Sequence, residues 1–301
     1  MKPSLFISFL TTCALALLVA CGGGGGTIVI EPSGTAHLVS ADSKIMSPKH
    51  MTLLGSDIYI ANFGNSGVNG LLKINASDVL SSTGFAGLTD AIGIAANNSG
   101  AIYTSAIPAS GLSTFLSLSG SPLALSVGSH YGLVFDGSNR LYAAFVAGAT
   151  ASVGISYAGY TTWNKQFSVG QTPKAFAIKS NLIYFTTDEG SIYKLTPDTI
   201  TPTQLTLDAA LNLPNGIAFD GDVIYVANKG NPDGSGSWIA KITNESHVEV
   251  FKRDSNWLCG SAGVAVRDNY VYVSNGTTTG SCGTIPGTTT SVQNTIVKFF
   301  H

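Results

Sequence analysis

The stretch Leu213–Ile242, LPNGIAFDGDVIYVANKGNPDGSGSWIAKI, decides the fold. Its first apolar run, Gly216-Ile217-Ala218-Phe219, meets the turn Asp220-Gly221-Asp222 and returns as Val223-Ile224-Tyr225-Val226. A loose glycine-rich loop follows, and then a third run, Trp238 to Ile242. Short apolar runs split by Gly and Asp turns read as antiparallel strands. Whether they form one motif or one copy of many depends on the rest of the chain.

They are one copy of six. Aligned on Tyr225, the apolar-Tyr pair recurs at Tyr59, Tyr103, Tyr142, Tyr184 and Tyr272, at intervals of 39 to 47 residues. Before each tyrosine lies an earlier run: His50 to Leu53, Gly93 to Ala95, Gly132 to Phe135, Ala175 to Ile178, Gly216 to Phe219 and Gly263 to Val266. Turn residues such as Asp136-Gly137-Ser138-Asn139 and Asn97-Asn98-Ser99-Gly100 separate the two runs. A third strand follows each tyrosine, and a fourth follows most of them, as in His247 to Phe251 and Thr203 to Leu207. Four short strands repeated at this period describe propeller blades. Sheets covered on both faces need no polar alternation, which suits a chain with only 11% charged residues.

The expected fold is all-β, a six-bladed propeller of four-stranded antiparallel blades spanning 35–301. The chain ends on a third strand, Thr295 to Phe300, while Thr35 to Ser40 stands alone ahead of the first repeat. That lone strand is expected to complete the sixth blade and close the ring, covering edges otherwise open to pairing.

The first residues carry a different signal. Met1-Lys2-Pro3 precedes an uncharged stretch from Leu5 to Ala20, then Cys21 and five glycines. A basic start, an apolar core and a small residue before the cut describe a secretory leader over 1–20. The uncharged stretch is shorter than the roughly 20 residues a spanning helix needs. Leu18-Val19-Ala20-Cys21 resembles a bacterial lipobox, which implies a lipidated Cys21 followed by a flexible tether over 21–34. The alternative is an ordinary leader that leaves Cys21 a spare thiol. Gly22 after the cysteine implies, by the same resemblance, the outer membrane, facing the periplasm or the surface.

A net charge of −2 gives no footprint for nucleic acid. Of four cysteines, Cys13 lies in the leader and Cys21 in the lipobox, so Cys259 and Cys282 remain for the folded body. In an exported domain such a pair most simply forms a disulfide; the alternative is two buried thiols.

The pattern Pro214-Asn215-Gly216-Ile217-Ala218-Phe219-Asp220, turn, Ile224-Tyr225-Val226-Ala227-Asn228 resembles NHL-type repeats and the regucalcin/gluconolactonase group of six-bladed propellers. The resemblance covers about Thr35 to His301. It implies a ligand face at one end of the central channel, formed by residues entering each inner strand and by the loops after each tyrosine strand. The candidate positions there are Lys49, His50, Asn62, Asp90, His130, Tyr131, Lys174, Asn215, Asn228 and Asn275. The asparagines offer donors and acceptors to a polar ligand, or serve their own turns. Lys49, His50, His130 and Lys174 would make a basic mouth suited to an anion.

Relatives with lactonase activity hold one divalent cation through oxygen ligands, which suit a hard ion. Only Asn215 matches one of those ligands here. The equivalent positions carry Lys49, Ile92, Tyr131, Lys174 and Ala262. The leading expectation is therefore a lipid-anchored, extracytoplasmic binding module, monomeric, for an envelope protein or a glycan. The alternative is a metal-dependent gluconolactonase-like hydrolase or a propeller lyase. The hydrolase needs a divalent cation; no other cofactor is expected.

Overall fold

The computed structural model describes residues 31–301 except 65–69, 84–89, 107–113, 118–124, 126–128, 148, 158, 277–278 and 280–281. The expected leader, the glycine tether and Cys21 lie outside the described residues. Twenty-three strands occur in the described residues.

Strand β1 (Ala36–Ser40) precedes the first sheet, β2 (Pro48–Leu54), β3 (Asp57–Asn62), β4 (Leu71–Ile74) and β5 (Leu80–Ser82). The next sheet holds β6 (Ala91–Ala96), β7 (Ile102–Ala106) and β8 (Thr114–Ser117). A third follows with β9 (Ser129–Phe135), β10 (Leu141–Ala147), β11 (Thr150–Ser156) and β12 (Lys165–Phe167). The fourth comprises β13 (Pro173–Lys179), β14 (Leu182–Thr187), β15 (Ile192–Leu195) and β16 (Thr203–Gln204). The opening stretch of sequence is the fifth, β17 (Pro214–Asp220), β18 (Val223–Asn228), β19 (Trp238–Thr243) and β20 (His247–Lys252). The last sheet runs β21 (Ser261–Arg267), β22 (Tyr270–Asn275) and β23 (Thr295–Phe300), with β1 outermost.

These are antiparallel meanders, and the molecule is an all-β propeller. One expectation needs correcting: five sheets have four strands, whereas the sheet of β6, β7 and β8 has three among the described residues. By the repeat spacing its outer strand would fall within 118–128, most of which lies outside them.

Inner strands pack side by side around an axis, β2 beside β6, β6 beside β9, and on through β13, β17 and β21 back to β2. Apolar side chains fill the spaces between neighbouring sheets. Tyr184, Ile192, Ile217 and Val226 lie between the fourth and fifth sheets, and Ile58, Ile60, Leu72, Tyr272 and Ile296 between the first and last. Burying an isoleucine or leucine of this kind stabilises by about 1.5–3 kcal/mol.

The repeated tyrosines explain themselves at three of these interfaces. Tyr142 donates to Asp136 at 3.1 Å and accepts from the backbone N–H of Asp198, in the following sheet, at 2.9 Å. Tyr184 donates to Glu245 at 2.5 Å, and Tyr272 to Asp78 at 2.8 Å. The partners in the neighbouring sheet sit in its outer turn, in a left-handed backbone conformation: Asp78, Asp198 and Glu245 all have φ near 60°. Burial pushes the Tyr142 phenol up to about 12, so it stays a proton donor at any ordinary pH.

Closure uses both ends of the chain, as expected. Strand β1 pairs antiparallel with β23, with Ala36 opposite Phe299 and Leu38 opposite Val297. Asp78 of the first sheet then receives Arg267, Tyr272 and Lys298 of the last, Lys298 at 2.7 Å. Burial acts to raise the Asp78 pKa, but hydrogen bonds from Lys298 and Tyr272 hold it below the usual carboxylate value.

Candidate functional site

Every inner strand breaks register with its partner near its first residues: between Pro48 and Met51, Ala91 and Gly93, Pro173 and Phe176, Pro214 and Gly216, and Ser261 and Val264. In the third sheet the shift falls between Ala143 and Phe145 on the partner strand. A bulge bends a strand and re-aims the side chain at the break. Lys49, Ile92, Tyr131, Lys174, Asn215 and Ala262 all sit at these breaks. Together they ring a cavity of about 380 Å³ at one end of the channel.

The next residue in each strand forms the floor. It is His50 in the first sheet and Gly93, Gly132, Ala175, Gly216 and Gly263 in the others. A Cβ on Gly263 would lie 2.2 Å from the Lys49 carbonyl oxygen, and one on Gly93 only 2.0 Å from that of Tyr131. Backbone therefore packs on backbone, and these positions exclude any side chain. Hydroxyls lock the contact: Ser274 accepts from the Gly263 N–H at 2.7 Å and donates to the Lys49 carbonyl at 2.8 Å. Ser105 does the same between Gly93 and Tyr131, at 2.8 and 2.9 Å.

His50 is the exception, and it seals the channel. Its imidazole hydrogen-bonds the backbone of Asn215. Beneath it the space shrinks to about 10 Å³ among Met51, Ile94, Leu133, Phe176, Ile217 and Val264, no more than the roughly 10–15 Å³ one water requires. The channel narrows there, and a further cavity of about 280 Å³ lies beyond, lined by residues such as Leu53, Phe135 and Phe219.

Its electrostatics are one-sided. Lys49, Lys174 and Lys229 all line it. Burial lowers the Lys49 pKa, and the nearby Lys229 charge lowers it further. Burial lowers Lys174 too; Asp188, 3.5 Å away, partly restores it, and Lys229 opposes that. The Lys174 ammonium lies 4.2 Å from the centre of the Tyr131 ring, and that of Lys49 is 5.4 Å from the Phe63 ring. His50 is pushed down to about 4, first by burial and then by Lys49, with Lys174 adding to it against the hydrogen bond to Asn215. It is neutral near pH 7. Like charges crowd a half-buried site that Asp188 only partly balances.

Five of the candidate positions, Lys49, His50, Tyr131, Lys174 and Asn215, thus meet at one cavity. Three asparagines do not. Asn62, Asn228 and Asn275 are fully buried, and their amides serve the chain segment that leads into the inner strand. Asn62 accepts from the N–H groups of Met46 and Ser47 and donates to the Lys44 carbonyl. Asn228 accepts from the Asn212 N–H, and Asn275 from that of Cys259. Their side chains are committed to stapling that segment and do not line the cavity. Asp90 is also displaced: it accepts from the Gly64 N–H at 3.0 Å and ties two loops together outside the cavity wall. The backbone of His130 pairs with Phe145 in β9; its side chain lies outside the described residues.

Lys229 and Phe63 line the mouth without having been singled out. Each directly follows a stapling asparagine, and that shared offset was the available signal. The disulfide Cys259–Cys282 is formed, with Cα atoms 5.7 Å apart. Trp238 is buried under the Arg253 guanidinium, 5.0 Å from its ring, and Trp257 packs against the core, so both fill space.

A divalent cation does not fit these residues. Asn215 supplies one neutral oxygen donor, three ammonium groups oppose a cation, and Asp188 is engaged with Lys174. Among the described residues no cluster of three or more His, Cys, Asp or Glu side chains offers a metal site.

No family model matches the chain, and no curated protein matches it by sequence. Solved structures do. The PQQ-bound aldose sugar dehydrogenase of Streptomyces coelicolor superposes with a TM-score of 0.60 at 13% identity, covering 89% of this chain and 99% of that one. A catalytically inactive virginiamycin B lyase from Staphylococcus aureus, solved with quinupristin, gives 0.55 at 12% identity over the same shares. A protein of unknown function from Bacteroides caccae gives 0.56 at 11%, over 73% of this chain and 87% of that one. At such identities the likeness is one of fold alone, and it says that this chain is a β-propeller.

Proposed function

We propose that this protein is a six-bladed propeller, lipid-anchored outside the cytoplasm through Cys21, whose channel mouth binds a small anionic ligand. The three-stranded sheet counts as the sixth blade, because its inner strand occupies a full place in the ring between β2 and β9. One observation carries the binding reading: Lys49, Lys174 and Lys229 share a cavity of about 380 Å³ with Asp188 as partial counter-charge. Ligand pockets run from roughly 300 to 1,000 Å³. A carboxylate or phosphate would supply counter-charge against the burial, and the lesser repulsion from Lys229, that depress Lys49 and Lys174. The comparisons reach the propeller and stop short of an NHL or regucalcin type.

The enzymatic alternatives find less support. A metal-dependent lactonase lacks its donor set here. An elimination needs a base poised near the working pH, and His50 at about 4 is far below it.

The test is thermal unfolding of the full chain with phosphate, glucuronate and neutral lactose. An anion at about a hundred times its dissociation constant adds roughly 2.7 kcal/mol. We expect phosphate and glucuronate to raise the melting temperature and lactose to leave it unchanged. In Lys49→Met/Lys174→Met the anion response is lost. A flat response of the native chain to every anion would sink the proposal. Acyl labelling of the expressed protein, abolished in Cys21→Ser, checks the anchor.

A further inference from the structure

A second cavity opens on the same end of the propeller, about 470 Å³ in volume, beside the mouth. The two share a wall. Asp188 lines the second cavity and reaches Lys174 of the first at 3.5 Å. Leu213 lines it as well, and its carbonyl accepts from the backbone N–H of Lys229, again of the first, at 3.0 Å. The chemistry changes across that wall. The groove presents the hydroxyls of Thr150 and Ser168, the amide of Gln171 and the carboxylates of Asp188 and Glu189. Its acceptors call for a ligand rich in neutral hydroxyl donors; Asp188 is already balanced by Lys174, and the exposed Glu189 carboxylate repels a second anionic group.

We propose that mouth and groove form one site for an acidic oligosaccharide, with a single anionic sugar among Lys49, Lys174 and Lys229 and a neutral sugar along the groove. The inference rests on the anion-binding mouth proposed above and adds the ligand class. Three competitors fit the charge layout less well. A polyphosphate or a run of uronates would bring its second charge against Glu189. An acidic peptide would present side chains to a groove whose one large apolar wall residue is Leu213. A nucleotide would need a stacking platform, and among the described residues the groove has no aromatic lining residue.

Isothermal titration of the full chain tests this with four probes: glucuronate, a disaccharide of glucuronate linked to neutral xylose, digalacturonate, and a diglutamate peptide. We expect the mixed disaccharide to bind at least tenfold more tightly than glucuronate, and digalacturonate no more tightly than glucuronate. Glu189→Lys, a charge reversal at an exposed position, should invert the order and make digalacturonate the tighter of the two. Gln171→Ala should bring the ratio of mixed disaccharide to glucuronate towards one. A mixed disaccharide that gains nothing over glucuronate in the native chain overturns the ligand class, as does a diglutamate peptide that binds tightest. Either result leaves the anion-binding mouth standing. A native chain that binds none of the four probes overturns both proposals, so the two failures are distinguishable.

Discussion

His50 stands where five other repeats tolerate only glycine or alanine, and its protonation is tied to the fold. The sign follows from comparing states. Folded His50 titrates at about 4, while an unfolded histidine does so near 6.5. Between those values the unfolded chain holds more protons, so stability rises with pH through this window and is complete above it. As pH falls towards 4, the native chain forfeits what neutral His50 contributed, on the order of 3 kcal/mol. Burial is the main cause of the low His50 value, and the charges of Lys49 and Lys174 nearby add to it. We expect the stability difference between native protein and His50→Asn to shift by that amount between pH 7.5 and pH 4, read from urea midpoints. Groups common to both chains cancel in the difference. A difference that stays constant with pH would show that His50 titrates normally.

Elements were far more legible in the sequence than the site was. The tyrosine period of about forty residues located every inner strand, because sheet packing on both faces writes itself as uninterrupted apolar runs. The closing strand was legible for a related reason: a lone apolar segment at one end matched a missing one at the other. The bulges were not legible. A register shift depends on two strands at once, and Lys49 or Ile92 looks locally like any other strand residue. The asparagines misled in an instructive way. Asn62, Asn228 and Asn275 recur at one place in the repeat, and recurrence marks a shared role without naming it. Their partners, N–H groups some sixteen residues upstream, are set by the path of the chain into the inner strand of the same sheet. A buried backbone donor left unpaired costs about 1–3 kcal/mol, which is reason enough for a fold to repeat the amide. Lys229 went unremarked because attention fell on the asparagine before it; the offset shared with Phe63 was the signal that pointed to the mouth.

At the scale of the molecule, the ring is held shut by pieces from opposite ends of the chain. Strand β1 covers the outer edge of β23, and Gly34 extends the pairing by donating to the Phe300 carbonyl at 2.7 Å. Without β1, the N–H and C=O groups along that edge of β23 would face water, an invitation to pair with another copy. The Asp78 cluster would remain, since Arg267, Tyr272 and Lys298 reach it from β21, β22 and β23 and β1 adds no residue to it. A chain lacking Thr35 to Ser40 should therefore still assemble the ring but expose one adhesive edge. We expect it to unfold at lower urea and to form concentration-dependent oligomers, detected by light scattering coupled to gel filtration. A synthetic peptide spanning Gly34 to Ala41 should suppress those oligomers by refilling the edge. If the shortened chain stays monomeric with an unchanged urea midpoint, β1 is dispensable to closure. The Asp78 cluster would then be the clasp, and Asp78→Ala the substitution that opens the ring.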